Sequence, residues 1–177
     1  MNSIYNSLLT LTFTPIGIGR EVAVFSLIQN PKYIAILRTP MTKDVLTQVT
    51  GPSILNDLVN NDERYNNVMI EKYESCSRKM KFHTDTSPDF VLNSCILIYC
   101  FYNFIPQNEN EYRIIVLKHK KTKEIKKVVL KHGICFELTS TLNQEYEHKI
   151  VLNTKSKETG SVLILTYRQS LNVLLVN

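Results

Sequence analysis

Two of the four histidines in this 177-residue chain stand in company that could bind a metal. Phe82-His83-Thr84-Asp85 carries an imidazole and a carboxylate two positions apart. In an extended strand, residues i and i+2 point to the same face, so His83 and Asp85 can converge on one ion. A third ligand must come from elsewhere in the fold. His148, in Gln144-Glu-Tyr-Glu-His148-Lys-Ile-Val-Leu, opens a later strand-like run and is the natural candidate. Two imidazoles and one carboxylate on one side of a metal leave the remaining positions open. That donor set suits a non-haem Fe(II) centre, which uses the open positions for a cosubstrate and O2. Downstream, Leu163-Ile-Leu-Thr-Tyr-Arg168 is a strand that ends in an arginine, twenty positions after His148. A guanidinium on a strand beside the last ligand can grip the far carboxylate of 2-oxoglutarate in a bidentate pair. Each residue alone has a plainer reading: a surface histidine beside a turn acid, and a surface strand charge.

The elements that must position these side chains read mainly as strands. Beta-branched and aromatic runs recur at Leu9 to Thr14, Glu21 to Leu27, Tyr33 to Leu37, Val68 to Tyr73, Met80 to His83 and Ser94 to Tyr102. They continue at Tyr112 to Lys118, Ile125 to Leu130, Ile134 to Leu138, His148 to Leu152 and Ser161 to Tyr167. Turn residues separate them at Thr86 to Asp89, Pro106 to Asn108, Lys131 to Gly133 and Asn153 to Gly160. Short strands at such spacing predict a sandwich or barrel. Ser53 to Asn61 breaks the pattern with Ile54, Leu55, Leu58 and Val59 on one helical stripe and Ser53 as N-cap. Thr42 to Thr50 reads as a second short helix. The expected organisation is one domain over residues 1–177, with 1–52 an N-terminal extension and 53–177 the core.

Composition narrows the class. Hydrophobic residues make up 44% and charged residues 21%, which excludes collagen-like and disordered chains. The apolar stretch from Cys95 to Tyr102 suits a buried strand and is far too short to span a membrane. The start at Met1 has no basic region ahead of an apolar core, so the expectation is an intracellular protein, cytoplasmic or nuclear. Cys76, Cys95, Cys100 and Cys135 form no C-x-x-C pair, which argues against a thiolate zinc site or a redox dithiol. The net charge of +5 permits nucleic acid as a partner without requiring it.

His83-x-Asp85, His148 and Thr166-Tyr-Arg168, taken in order, resemble the AlkB-like group of 2-oxoglutarate/Fe(II)-dependent dioxygenases. Val68-Met-Ile-Glu-Lys-Tyr73 followed by Lys79-Met-Lys-Phe-His83-Thr-Asp85 is similar to the family's strand and metal-motif entrance. Glu147 to Leu152 with Leu165 to Ser170 is closest to AlkB-like open reading frames of large DNA viruses and protists. The resemblance runs from about Ser53 to Ser170. It implies a mainly β (α+β) fold, a double-stranded β-helix or jelly roll, with flanking N-terminal strands and short helices. It implies Fe(II) held by His83, Asp85 and His148, with 2-oxoglutarate bound by Arg168 and Tyr73. O2 is then consumed, with succinate and CO2 as co-products of oxidising a substrate C–H bond. Hydroxylation or demethylation of a nucleic-acid base is the implied reaction class. Two positions depart from the family pattern: Glu71 stands where an Asn is usual, and Val162 where a second Arg is usual. They favour the alternative, a jelly-roll binding module for nucleic acid or protein without turnover.

Arg113, Lys118, Lys120, Lys121, Lys123, Lys126, Lys127 and Lys131 face one acid, Glu124, in the hairpin over residues 113–131. That hairpin reads either as a phosphate-touching surface or as a solvated edge guarded against aggregation. Gly17-Ile-Gly19 lacks the third glycine of a dinucleotide site. His119 and His132 read as solvated loop residues, Cys95 and Cys100 as small core residues, and Tyr99 and Tyr102 as buried packing.

Overall fold

The structure, a computed structural model, describes residues 3–17, 19–39, 42, 44–49, 51–74, 80–104, 106–152 and 160–176. Ile18, Cys76, Lys79 and residues 153–159 of the motifs and turns above lie outside the described residues. The chain begins with α1 (Ser3–Leu9), β1 (Thr14–Gly17), β2 (Arg20–Ser26), β3 (Tyr33–Ile36) and β4 (Thr47–Gln48). Next come α2 (Ile54–Asp57), β5 (Asn67–Tyr73), β6 (Ile96–Tyr102), β7 (Arg113–His119) and β8 (Ile125–Val129). It closes with β9 (Cys135–Leu138), α3 (Ser140–Glu145), β10 (Tyr146–Leu152), β11 (Val162–Arg168) and β12 (Asn172–Leu175).

The fold is mainly β, with antiparallel sheets and few helices. The large sheet runs β1-β2-β5-β11-β6-β9, with the short β4 added in parallel to β2. A second sheet runs β10-β7-β8, and β12 pairs with β3 in a separate ribbon. β2 comes from the segment read as an N-terminal extension, yet it lies inside the large sheet beside β5.

β11 explains the layering. It pairs along its length with β5 on one side and β6 on the other, and all seven of its residues are buried. A strand buried on both faces must satisfy two cores, and its alternation does so. Val162 and Ile164 join Tyr73, Ile98, Cys100 and Tyr102 in a core shared with Ile115, Leu117 and Ile150 of the small sheet. Leu163, Leu165 and Tyr167 point the other way, to a core closed by Tyr5 and Leu8 of α1 and Leu55 of α2. Full burial of each such aliphatic side chain stabilises by about 1.5–3 kcal/mol. Past Ile164 the inward face of β11 turns polar with Thr166 and Arg168, and there the site begins.

Four local expectations are corrected. Leu9 to Thr14 is no strand: Leu9 ends α1, whose Tyr5 and Leu8 bury at helical spacing, and β1 starts only at Thr14. Met80 to His83 makes a single bridge at His83 instead of a strand. The described part of Thr42 to Thr50 holds no helix; Thr47 and Gln48 pair with Val24 and Phe25. Ser53 precedes α2 in helical conformation and makes no side-chain cap bond.

Candidate metal centre

The alternation of β10 sends Tyr146, His148 and Ile150 inward. His148 also forms an isolated antiparallel bridge with His83. The two residues exchange backbone hydrogen bonds, His83 N–H to His148 O at 3.0 Å and His148 N–H to His83 O at 2.7 Å. In such a pair the side chains share one face, and the two rings stand 4.4 Å apart between centroids. Asp85 follows in a segment outside any strand, so period-two alternation is not what aims its carboxylate. Its backbone is clamped by Asn143 of α3. Asp85 N–H donates to Asn143 Oδ1 at 3.1 Å, and Asn143 Nδ2 donates to Asp85 O at 2.9 Å. α3 is itself started by Thr139, whose hydroxyl accepts from Leu142 N–H at 3.2 Å.

One ligand atom each of His83, Asp85 and His148 lies within 4.8 Å of the other two. His83 Nε2 is 3.6 Å from Asp85 Oδ1, too long for a direct hydrogen bond. Two ligands each about 2.1 Å from a shared metal stand roughly 3–3.5 Å apart, so the spacing suits an ion between them. His83 Nδ1 lies 3.1 Å from Lys81 O, which assigns the ring proton to Nδ1 and leaves the Nε2 lone pair facing Asp85. The other oxygen of Asp85 accepts from Arg168 Nη2 at 3.1 Å. The carboxylate is thus divided, Oδ1 toward the histidines and Oδ2 held by a guanidinium. His148 Nδ1 is fully enclosed with no hydrogen-bond partner. A buried nitrogen in that condition is rare, and an ion at this position gives the ring a partner. The donor set of two imidazoles and one carboxylate, with this orphaned ring, fits a divalent transition metal.

The electrostatics hold Asp85 and His148 in the forms that bind a metal. Burial alone would raise the Asp85 carboxyl. The Arg168 guanidinium and the two nearby imidazoles outweigh it and hold Asp85 well below the usual carboxylate range. Burial pushes His148 down to about 4, so its imidazole is neutral at pH 7. Burial also lowers His83, but the contact with Asp85 more than offsets this and leaves it above its ordinary value.

The three ligands open on a cavity of about 330 Å³, whose walls include Arg168, Thr166, Met69, Ile150, Glu71 and Arg20. Arg168 is 4% exposed and its Nη1 has no hydrogen-bond partner, so one donor remains for a bound acceptor. Tyr73 does not line this cavity. It is buried with its ring between Arg20 and Arg113, 5.0 and 4.7 Å from the two guanidinium carbons, and its hydroxyl donates to Glu71 Oε1 at 2.9 Å. Glu71 lines the cavity instead and is ion-paired with Arg20. Sequence reading missed Arg20 and Asn143 altogether. Arg20 lies in the N-terminal segment, and no spacing rule ties Asn143 to Asp85, fifty-eight residues earlier.

The remaining candidates separate from the site. Arg113 is buried against Tyr73 and does not belong to the basic surface. Lys126 and Lys127 are exposed on β8, while the amines of Lys118 and Lys149 sit over the Phe82 ring at 5.2 and 4.3 Å. Phe82 adjoins His83 in the chain, but neither it nor these two lysines line the cavity. His119 and His132 are not solvated bystanders. His119 Nδ1 accepts from the turn amides of Lys121 and Thr122, and His132 Nδ1 accepts from Tyr102 N–H. Tyr99 and Tyr102 donate to Leu58 O and Leu130 O and line no part of the cavity. Among the described cysteines Cys100 is buried, Cys95 half-buried and Cys135 exposed. No helix among the described residues is long and apolar enough to cross a membrane.

No protein-family model matches the chain, and no curated protein matches it.

Proposed function

We propose that the chain is an Fe(II)/2-oxoglutarate-dependent dioxygenase of the AlkB-like group, built on a jelly roll whose two sheets enclose the site. The observation that carries the reading is the convergence of His83, Asp85 and His148 on one point, with Asp85 oriented by a buried arginine. His83 Nε2, Asp85 Oδ1 and the neutral ring of His148 would hold the ion. Arg168 fixes the carboxylate through Nη2, which sets its guanidinium beside the candidate ligands, so Nη1 is offered to the near end of the cosubstrate and not to the far carboxylate expected from the sequence. The apolar wall of Met69, Ile98 and Ile150 keeps bulk water from the reacting atoms. When bound, Fe(II) with 2-oxoglutarate and O2 supplies oxidation of a C–H bond, with succinate and CO2 as co-products. The lysines over Phe82, the residue before His83 in the chain, support a nucleic-acid substrate.

Anaerobic titration with Fe(II) and 2-oxoglutarate tests the proposal. A visible charge-transfer band that is absent from Asp85→Ala is the expected result. Well-folded protein that gives no band overturns it. The second reading, a binding module without turnover, is favoured by Glu71, whose carboxylate occupies the cavity wall beside Arg20. Iron-dependent succinate formation separates the two readings.

A further inference from the structure

The edge of a sheet exposes unpaired backbone groups, and a stable protein blunts it with a charge, a proline, a short strand or a cover. β1 carries Pro15, β8 carries Lys126 and Lys127, and β9 carries Glu137. β4 is two residues long, and the free edge of β10 is tied to His83. Among the described residues β12 has none of these devices. Leu171 to Val176 contains no ionisable residue and no proline. Leu171, Val173, Leu174, Leu175, Val176 and the adjoining Tyr33 are each 40–66% exposed.

The register fixes which backbone groups are open. β12 pairs with β3 alone, with Leu174 opposite Ile34. Val176 N–H donates to Lys32 O at 2.8 Å, so the alternation makes Leu174 and Asn172 the residues bonded to β3. The backbone groups of Val173 and Leu175 therefore point outward. The far side of β3 is already filled: Ala35 N–H donates to Ser26 Oγ, and Ala35 O accepts from Asn67 Nδ2. Because Val173 and Leu175 flank Leu174, the open edge is its own complement. A two-fold axis at Leu174 sets Val173 of one copy opposite Leu175 of the next, with two pairs of backbone hydrogen bonds and the two Leu174 side chains facing each other.

We propose that β12 pairs antiparallel with β12 of a second copy of this chain. Charge selects this edge for self-association. Each copy carries +5, and pairing through β8 would set lysine against lysine, whereas β12 brings no charge to face its own copy. The exposed apolar side chains amount to about 300 Å² per copy, at about 100 Å² for each side chain fully buried. That is below the roughly 800 Å² per partner of a standard interface, so the dimer is a concentration-dependent one.

Sedimentation velocity of the full chain from about 1 to about 200 µM brackets a dissociation constant in the micromolar range. Wild type is expected to pass from monomer to dimer across it. Leu175→Pro deletes an outward N–H that the pairing with β3 does not use, and with it one interchain bond in each copy. The dissociation constant should then rise about tenfold or more. Leu174 faces its own copy in a non-hydrogen-bonded pair, about 4.5 Å between Cα atoms, which is within reach of a disulfide. Leu174→Cys, made together with Cys135→Ser to remove the exposed thiol, should therefore cross-link on mild oxidation, and Cys135→Ser alone should not. Wild type that stays monomeric throughout overturns the proposal and leaves the edge to a strand of another protein. A dimer that resists Leu175→Pro, or one that fails to cross-link through Leu174→Cys, overturns it as well.

Discussion

Replacing Asp85 with asparagine keeps the side-chain volume and removes the charge. Arg168 is 5% exposed at its side chain and Asp85 15%, so the substitution strands a guanidinium that water barely reaches. Breaking a buried pair from one side costs about 3–5 kcal/mol. The partial exposure of Asp85 puts the expected loss at the lower end, about 3 kcal/mol. For a chain of this length each kcal/mol moves Tm by about 2–4 °C. Metal-free Asp85→Asn should therefore melt roughly 6–12 °C below wild type. Arg168→Met leaves Asp85 beside two imidazoles that can take up a proton, so its loss should be smaller, about 1–2 kcal/mol. The double variant removes both charges and should melt near the milder single variant, a coupling of about 3 kcal/mol. Calorimetry at pH 7 with chelator measures all four proteins. Co(II) absorption adds a second readout: Asp85→Asn should lose the metal and Arg168→Met should keep it. Strictly additive losses would show that Arg168 does not hold Asp85 and would refute the orientation argument.

Acid should weaken the metal-free fold through His148. Its folded value of about 4 lies below the ordinary 6.5, so the unfolded chain takes up a proton first as pH falls through that window. The gap caps the loss at about 3 kcal/mol, partly offset by His83, whose raised value favours the folded state in acid. Urea midpoints at pH 7 and pH 5 should therefore differ in wild type and converge in His148→Gln. Asn143→Ala removes both bonds to the Asp85 backbone and should weaken Co(II) binding about tenfold or more with little change in Tm, as expected for a support one step behind the ligands. Ile164→Ala opens a void between the two sheets and should lower stability by about 2–5 kcal/mol, seen as a shift in urea midpoint without loss of the metal-binding residues.

Much of the strand framework was legible because its residues obey a local rule. β5, β6, β7, β10 and β11 all fall on runs of beta-branched and aromatic residues within two or three residues of their observed ends. The clustering of His83, Asp85 and His148 was legible because chemistry restricts which side chains can serve a metal, and few histidines compete. What failed depends on tertiary context. α1 is short, and its buried Tyr5 and Leu8 become a helix face only because the outer surface of the large sheet needs covering. Thr139 and Ser140 carried a helix-start signal for α3 that the strand pattern around them obscured. Arg20 and Glu71 lie fifty-one residues apart, and only the pairing of β2 with β5 makes them partners. Tyr73 shows the opposite error. It was expected to hold 2-oxoglutarate, but it lines no part of the cavity: its ring faces two guanidiniums and its hydroxyl ends on Glu71.

The bridge between His83 and His148 is a ladder of one rung. Beyond it, among the described residues, the segment around His83 belongs to no sheet, and the free edge of β10 is tied there by two backbone bonds. Such a rung opens at a small fraction of the free energy of global unfolding. An ion gripped by both imidazoles and by Asp85 would tie the same two segments from the side-chain face. The centre would then be a clasp as well as a place of reaction. Amide exchange at His83 and His148 should slow on loading, and proteases should cut the empty protein first near residue 83. In a cell short of the ion, lifetime and activity would fall together.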